Sequence, residues 1–273
     1  MLKDITLGQF FPGTSPIHRL DPRVKLLLAL IFIVVLFVIN NLVAYIIMGV
    51  LLAVVVKISQ IPLGLVLKGL KPIFVVVIIT AILNIFYNTT GEVLWEWGFL
   101  RVTTNGIMLG IFMAIRIVYL IIGVAIILTY TTSPILLTDA VENVFSPFKR
   151  FGFPAHEIAM MMTIAIRFIP TLVEETEKII NAQKARGADF ETGSILKRAK
   201  ALVPILVPLF VSAFKRADEL AIAMECRCYQ GGENRTRMRV LQTSRIDYVA
   251  IVITVLVCAA LVSMNFMEFG WRA

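Results

Sequence analysis

Two arginines in this chain stand in an arrangement able to do chemistry. Arg186 lies in Lys184-Ala185-Arg186-Gly187-Ala188-Asp189, and Arg227 in Glu225-Cys226-Arg227-Cys228-Tyr229-Gln230-Gly231-Gly232. Each sits between small side chains at the end of a helical pattern, and glycine follows. Small neighbours let another backbone approach closely. The guanidinium is a permanently charged fork that grips a carboxylate at two points. A plainer reading competes: arginine in a last helical turn complements the helix dipole, worth ~0.3–1 kcal/mol. One occurrence fits the dipole; two, each ending an amphipathic helix of similar length, make the gripping reading its equal.

Other candidates are sparse. His18 and His156 are the two histidines, and neither pairs with carboxylates at metal-ligand spacing. His156, after Pro154-Ala155, reads as an exposed polar residue at a helix start. Cys226 and Cys228 have no second Cys or His pair nearby, so no zinc or other metal site is expected. No G-x-x-x-x-G-K-[S/T] phosphate loop occurs. The chain is therefore expected to be no enzyme and to carry no cofactor; any ATP hydrolysis must occur on a partner. Arg116 lies in an apolar block, where a charge is functional by default, but it can equally snorkel or pair across a bundle. Asn84 and Tyr87 read as interface residues rather than a substrate site. Arg167 can pair with Glu174 or a partner chain, or simply face solvent. Met160-Met161-Met162 reads as core, though methionine faces also suit exchangeable partners.

The elements that position these residues follow from composition. Of 273 residues, 59% are hydrophobic and 16% charged, against ~25% charged in a soluble domain. The apolar residues gather in five blocks: Val24–Ile39, Leu42–Val56, Pro72–Tyr87, Ile107–Tyr130 and Tyr248–Phe266. Several are shorter than the ~20 residues a straight span prefers. No cleavable signal peptide is expected, because the first residues are mixed polar with Pro12, Pro16 and Pro22 and lack an apolar core. Lys3, Arg19, Arg23 and Lys25 precede the first block; Asn40-Asn41 separates the first two. Lys57, Lys68 and Lys71 come next, then Arg101 alone, then sixteen Lys or Arg between Thr131 and Arg245. The alternation puts the N-terminus in the cytosol and the C-terminus outside, with an odd number of spans. Trp95 and Trp97 fit an outer interfacial belt. The net charge of +8 is thus a membrane-topology signal, and no nucleic-acid partner is expected.

The segment 131–245 is basic, helical in pattern and reads as too polar to span. A short helix is expected from Ser133 to Phe148, with Ser133 as N-cap and Pro134 at the first position. A second starts after Pro154 and stops near Gly187, with an apolar stripe through Ile158, Met161, Met162, Ala165, Ile169, Leu172, Thr176, Ile179 and Ile180. A third runs from about Ile195 to Tyr229 and stops at Gly231-Gly232, its stripe holding Ala199, Leu202, Val203, Leu206, Leu209, Phe210, Ala213, Leu220 and Met224. Pro170 should kink the second helix, and Pro204 and Pro208 the third. Such helices are too apolar to stand alone in water and must pack on each other, the membrane or partners.

These residues resemble the transmembrane coupling component of energy-coupling factor (ECF) transporters. The likeness rests on the paired small-Arg-small motifs and extends to Ser15-Pro16-Ile17-His18-Arg19-Leu20-Asp21-Pro22-Arg23-Val24-Lys25 before the first span. It includes Arg167-Phe168-Ile169-Pro170-Thr171-Leu172 through Gly187, and Arg216-Ala217-Asp218-Glu219-Leu220-Ala221 through Arg227. One departure is that the family often has Ala-Arg-Gly at both sites, and here the second is Cys-Arg-Cys. The resemblance implies an all-α integral membrane protein with about five transmembrane helices plus long cytosolic amphipathic coupling helices. The domains expected are 1–130 (a membrane domain of four spans), 131–245 (a cytosolic coupling-helix domain) and 246–273 (a final transmembrane helix). It implies a multi-pass subunit of a prokaryotic cell membrane that carries ATP-driven motion from two ABC-type ATPases to a membrane-embedded S component, for vitamin or micronutrient uptake. The ATPases are expected on Ala185, Arg186 and Gly187, and on Cys226, Arg227 and Cys228. The S component is expected on Met161, Ala165, Leu172, Leu202, Leu206 and Phe210. The alternative is a self-sufficient secondary transporter. It calls for ionisable or broken-helix sites near mid-membrane and often internal repeats, and neither is evident.

Overall fold

A computed structural model describes residues 10–87, 92–97, 100–152, 154–190, 194–231 and 241–266. They fall into two compact units, one formed by 10–141 with 241–266, the other by 142–231.

In the first unit, α1 (Pro16–Arg19) and α2 (Pro22–Val38) each begin with proline in the first turn behind a capping side chain. Asp21 Oδ1 accepts from the Arg23 N–H at 2.9 Å, and Asn41 Oδ1 from the Val43 N–H at 2.9 Å to open α3 (Leu42–Ser59). The third expected block is broken: α4 (Leu63–Leu70) and α5 (Phe74–Tyr87) meet at a 57° bend. Pro72 lies at the break: it has no N–H to give the Lys68 carbonyl four residues back, while Lys71 itself keeps a helical conformation. β1 (Val93–Trp97) and β2 (Leu100–Thr103) form an antiparallel hairpin, Val93 opposite Thr103 and Trp97 opposite Leu100. This is the one exception to an otherwise helical fold among the described residues. Trp95 and Trp97 both lie on β1. Thr103 then caps α6 (Thr104–Val124), which continues as a π-helical turn over Ala125–Tyr130.

The core gathers Leu36 and Ile39 of the α2 end, Ala44 and Tyr45 of α3, Phe112 of α6 and Leu261 of α10 (Arg245–Phe266). Close approach needs small residues. A Cβ on Gly123 of α6 would stand 2.4 Å from the Phe32 ring, and one on Gly110 would stand 3.0 Å from the Ala81 carbonyl of α5. The opposite faces stay apolar: Leu27, Leu30, Val34 and Phe37 of α2 are all exposed. A helix apolar on every side belongs in a bilayer. By length and composition four helices can cross a membrane, or five if α4–α5 is one bent span. The protein is an all-α integral membrane protein in this sense.

The second unit holds the end of α7 (Pro134–Phe145), a 3-10 helix (Ser146–Phe151), α8 (Ala155–Ala185) and α9 (Ile195–Glu225). Ser133 Oγ accepts from the Leu136 N–H at 3.5 Å, as expected of an N-cap, but α7 gives way to the tighter helix at Ser146 rather than running on to Phe148. α8 departs from the expectation that all of 131–245 is too polar to span. Between Ala155 and Val173 its charges are Glu157 and Arg167 alone, and it is the least apolar of the four helices able to cross a membrane. The expectation took the stripe over the whole helix, and the acidic second half hid the apolar first half.

Candidate functional site

The two arginines cap their helices in the same way. At the end of α8 the Ala188 N–H donates to the Gln183 carbonyl at 3.0 Å, and the Gly187 N–H to Lys184 at 3.0 Å. At the end of α9 the Tyr229 N–H donates to Met224 at 3.1 Å, and the Cys228 N–H to Glu225 at 2.8 Å. Both are Schellman caps, six-to-one and five-to-two bonds around a left-handed residue. The arginine is the cap residue in each, and the residue after it is left-handed: Gly187 at φ +88°, Cys228 at φ +55°. Glycine takes that conformation freely, whereas a side chain resists it. The expected stop at Gly231-Gly232 therefore comes earlier, at Glu225, with Cys228 turning the chain; Gly232 lies outside the described residues. All six motif residues, Ala185, Arg186, Gly187, Cys226, Arg227 and Cys228, are exposed. Cys226 and Cys228 are free thiols.

α8 and α9 run antiparallel. Arg216 Nη2 donates to Glu175 Oε2 at 2.8 Å, and Gln183 Nε2 to the Pro204 carbonyl at 3.4 Å. The second bond has a cause in sequence. Pro208 has no N–H, so the Pro204 carbonyl four residues back is left without its helical donor, and Gln183 supplies one. An apolar groove of about 240 Å³ lies between Ile164, Phe168 and Leu172 of α8 and Ala217, Leu220 and Met224 of α9. With this pairing Arg186 and Arg227 stand at opposite ends, on the order of 40 Å apart at 1.5 Å per residue.

The expected stripe residues divide. Met161 and Ala165 are exposed on α8, while Leu172 turns into the groove. Leu202, Leu206 and Phe210 are exposed on α9, in the stretch that faces Gln183 rather than Met161. Pro170, Pro204 and Pro208 all sit inside continuous helix on exposed positions. Sequence reasoning passed over Val207, Val211 and Phe214, which widen the exposed face of α9; with Val203 they recur at helical spacing, so the signal was present. It also passed over the Glu175–Arg216 and Gln183–Pro204 links, which join residues remote in sequence. Arg167 is exposed and takes no part in either. His156 is half-buried rather than exposed: its Nδ1 stands 3.0 Å from Glu142 Oε1 and ties the start of α8 to α7.

In the first unit several polar residues of the membrane bundle are engaged, although Asp21 Oδ2 and Arg23 Nε are buried without a hydrogen-bond partner. The Arg116 guanidinium donates to Tyr45 Oη at 2.6 Å, the Ile39 carbonyl at 3.0 Å and Asn40 Oδ1 at 3.0 Å, and stacks near the Phe37 and Tyr45 rings. It pairs across the bundle and holds the α2–α3 turn. Lys25, 1% exposed, donates through Nζ to the Thr131 carbonyl at 2.8 Å. Asp247 accepts from the Asp21 N–H at 2.7 Å and the Ser244 N–H at 2.6 Å. His18 bridges Ser15 Oγ at 2.6 Å and the Phe11 carbonyl at 2.9 Å, so its Nε2 carries the proton. The segment Ser15–Lys25 thus locks the start of α2 to the end of α6 and the start of α10. Among the described residues no cluster of three His, Cys, Asp or Glu is placed to hold a metal ion.

Comparison with known proteins follows this geometry. Residues 13–238 match the CbiQ family, described as cobalt transport protein. An energy-coupling factor transporter transmembrane protein EcfT from Ruminiclostridium cellulolyticum is 52% identical over 269 residues, 98% of this chain and 100% of that one. The protein of the same name from Clostridium kluyveri is 54% identical over 265 residues, 96% of this chain and 98% of its own. That from Bacillus subtilis is 46% identical over 261 residues, covering 96% and 98%.

Proposed function

The chain belongs to the CbiQ family and, within it, to the transmembrane proteins of energy-coupling factor transporters, and on that premise we propose that it couples two cytosolic ATPases to a substrate-capturing membrane partner. The carrying observation is the identity of the two arginine caps. Each presents one guanidinium, exposed, from a Schellman turn at the tip of a long helix. A helix-dipole role needs neither exposure nor repetition. Two equivalent grips some 40 Å apart suit two copies of one kind of partner, one acidic pocket for each arginine. ATP hydrolysis is assigned to those partners.

The S component is assigned to the exposed apolar residues of the helix pair: Leu202, Leu206 and Phe210, with Met161 and Ala165 toward the other end. Leu172 supports them from within the groove. The contact must release and re-form in each cycle, so an apolar, adaptable face serves better than ion pairs. Motion passes along α8 and α9, whose prolines let them bend where hydrogen bonds are already missing. The N-terminus and the α8–α9 unit are placed in the cytosol of a prokaryotic cell, and the cargo is a vitamin or micronutrient held by the S component.

Arg186→Glu with Arg227→Glu tests this reading. Removing one partner of a buried charge pair costs ~3–5 kcal/mol, roughly two to three and a half decades in affinity. Either single change should cripple transport, and the pair should release the ATPases on purification. Substrate binding by the S component alone should be unchanged. Normal transport by the double variant would reduce both arginines to helix caps.

A further inference from the structure

The 3-10 helix Ser146–Phe151 carries a feature the coupling reading does not use. Phe145, Phe148 and Phe151 are 41%, 51% and 87% exposed, yet they touch one another: ring centroids are 6.0 Å apart for the first pair and 6.4 Å for the second. The cause is helical geometry. With three residues per turn, side chains at i and i+3 eclipse, so a phenylalanine at every third position makes a straight ridge. An α-helix at the same positions would fan the rings across its surface. Gly152, at φ +80°, turns the chain out of this helix directly after Phe151. Lys149 and Arg150 stand in sequence between the last two rings.

We propose that this ridge is an interfacial anchor that seats its rings in a layer of anionic lipid headgroups. Exposed contiguous aromatics mark a surface that is covered in use. Three observations choose lipid as the cover. The ridge follows a spanning helix that ends at Tyr130, with α7 alone between them. Two cations, Lys149 and Arg150, stand between its last two rings in sequence, and aromatic residues beside Lys and Arg suit a negatively charged membrane surface. It is a helix of two short turns whose exposed rings suit the depth of the boundary between headgroups and acyl chains.

The test uses the full chain in lipid nanodiscs, with Cys226, Cys228 and Cys258 changed to Ser and Phe151→Cys carrying an environment-sensitive fluorophore. In discs containing phosphatidylglycerol, a spin label carried near the lipid glycerol should quench the fluorophore strongly. Acrylamide in the buffer should quench it weakly, compared with the same fluorophore on Ser194→Cys. Lys149→Glu with Arg150→Glu should reverse that order, by about fivefold in partitioning for each basic residue, and less in phosphatidylcholine alone. An unfolding transition in detergent unchanged from that of the native chain verifies that these variants fold. Equal access of acrylamide to both sites overturns the proposal. So does protection that arises only when ATPases or an S component are added, which would make the ridge a protein dock. None of these outcomes depends on whether Arg186 and Arg227 grip ATPases.

Discussion

The bundle of α2, α3, α6 and α10 and the pair α8–α9 use the same kinds of residue to opposite ends. In the bundle, apolar side chains at the helix contacts are closed off, Leu36, Ile39 and Ala44 completely. Polar groups there are bonded, Lys25 and Asp247 fully buried and Arg116 partly so. In α8 and α9, Ala155, Ala159 and Ile205 are the only hydrophobic side chains buried among the described residues, while Leu202, Leu206, Phe210 and Phe214 stand open. The bundle is a finished fold whose outer faces meet lipid. The pair leaves most of its apolar side chains open, which is what the proposed partner contacts require. Apolar residues stabilise a structure when it closes over them and define a binding surface when it does not.

The sharpest way to break this comparison is to test the side of the membrane on which the two regions face. In a variant without native cysteines, an impermeant thiol reagent on whole cells should label Val93→Cys and spare Ser194→Cys. The reverse pattern overturns the orientation of the whole chain.

Buried groups should give the next largest effect. Asp247→Ala leaves the buried Asp21 N–H without its acceptor and takes a carboxylate from the neighbourhood of buried Lys25; it should cost at least the ~1–3 kcal/mol of an unsatisfied buried donor, read as early thermal unfolding in detergent. Phe112→Ala, by cavity formation, should cost about 3–5 kcal/mol. If neither moves the unfolding transition, the bundle is not the finished fold described.

Exposed positions of the pair should respond differently. Leu206→Asp should leave the unfolding transition within about 0.5 kcal/mol. It should weaken the S component by roughly 1–3 kcal/mol of unpaired burial, about one to two decades, with the ATPases still bound. Retention of the S component at wild-type level would show that this face only packs internally.

Smallest is an improvement. Cys228 holds a left-handed conformation that costs a side chain about 1–2 kcal/mol, and Gly187 meets the same demand without that cost. Cys228→Gly should therefore slow amide exchange at the end of α9 by about tenfold or less. Gly187→Ala should speed exchange at the end of α8. Opposite signs would mean that the two caps are not equivalent.

Much of this was legible in residue order. Apolar blocks and basic loops follow from the hydrocarbon thickness and the translocation cost of Lys and Arg, and both are properties of local composition. The ends of α8 and the start of α7 were legible for the same reason: Gly187, Ser133 and Pro134 act within one turn of themselves. The earlier end of α9 was not, because two later glycines outweighed a cysteine that adopts the left-handed turn itself. The bend before α5 was hidden inside a single apolar run, though Lys71-Pro72 marked it.

What the chain order by itself determined is therefore the set of helices, their apolar faces and the two arginines at helix ends. These depend on periodicity and on caps a few residues long. Only the tertiary structure decided that Arg116 holds the α2–α3 turn, that buried Lys25 meets Thr131 and that buried Asp247 meets Asp21. It alone gave the Pro204 carbonyl, freed by Pro208, to Gln183, and turned three spaced phenylalanines into a ridge. Each of these joins groups whose meeting depends on how two helices pack or on the pitch of one turn. A linear pattern carries the partners' identities but not the distance between them.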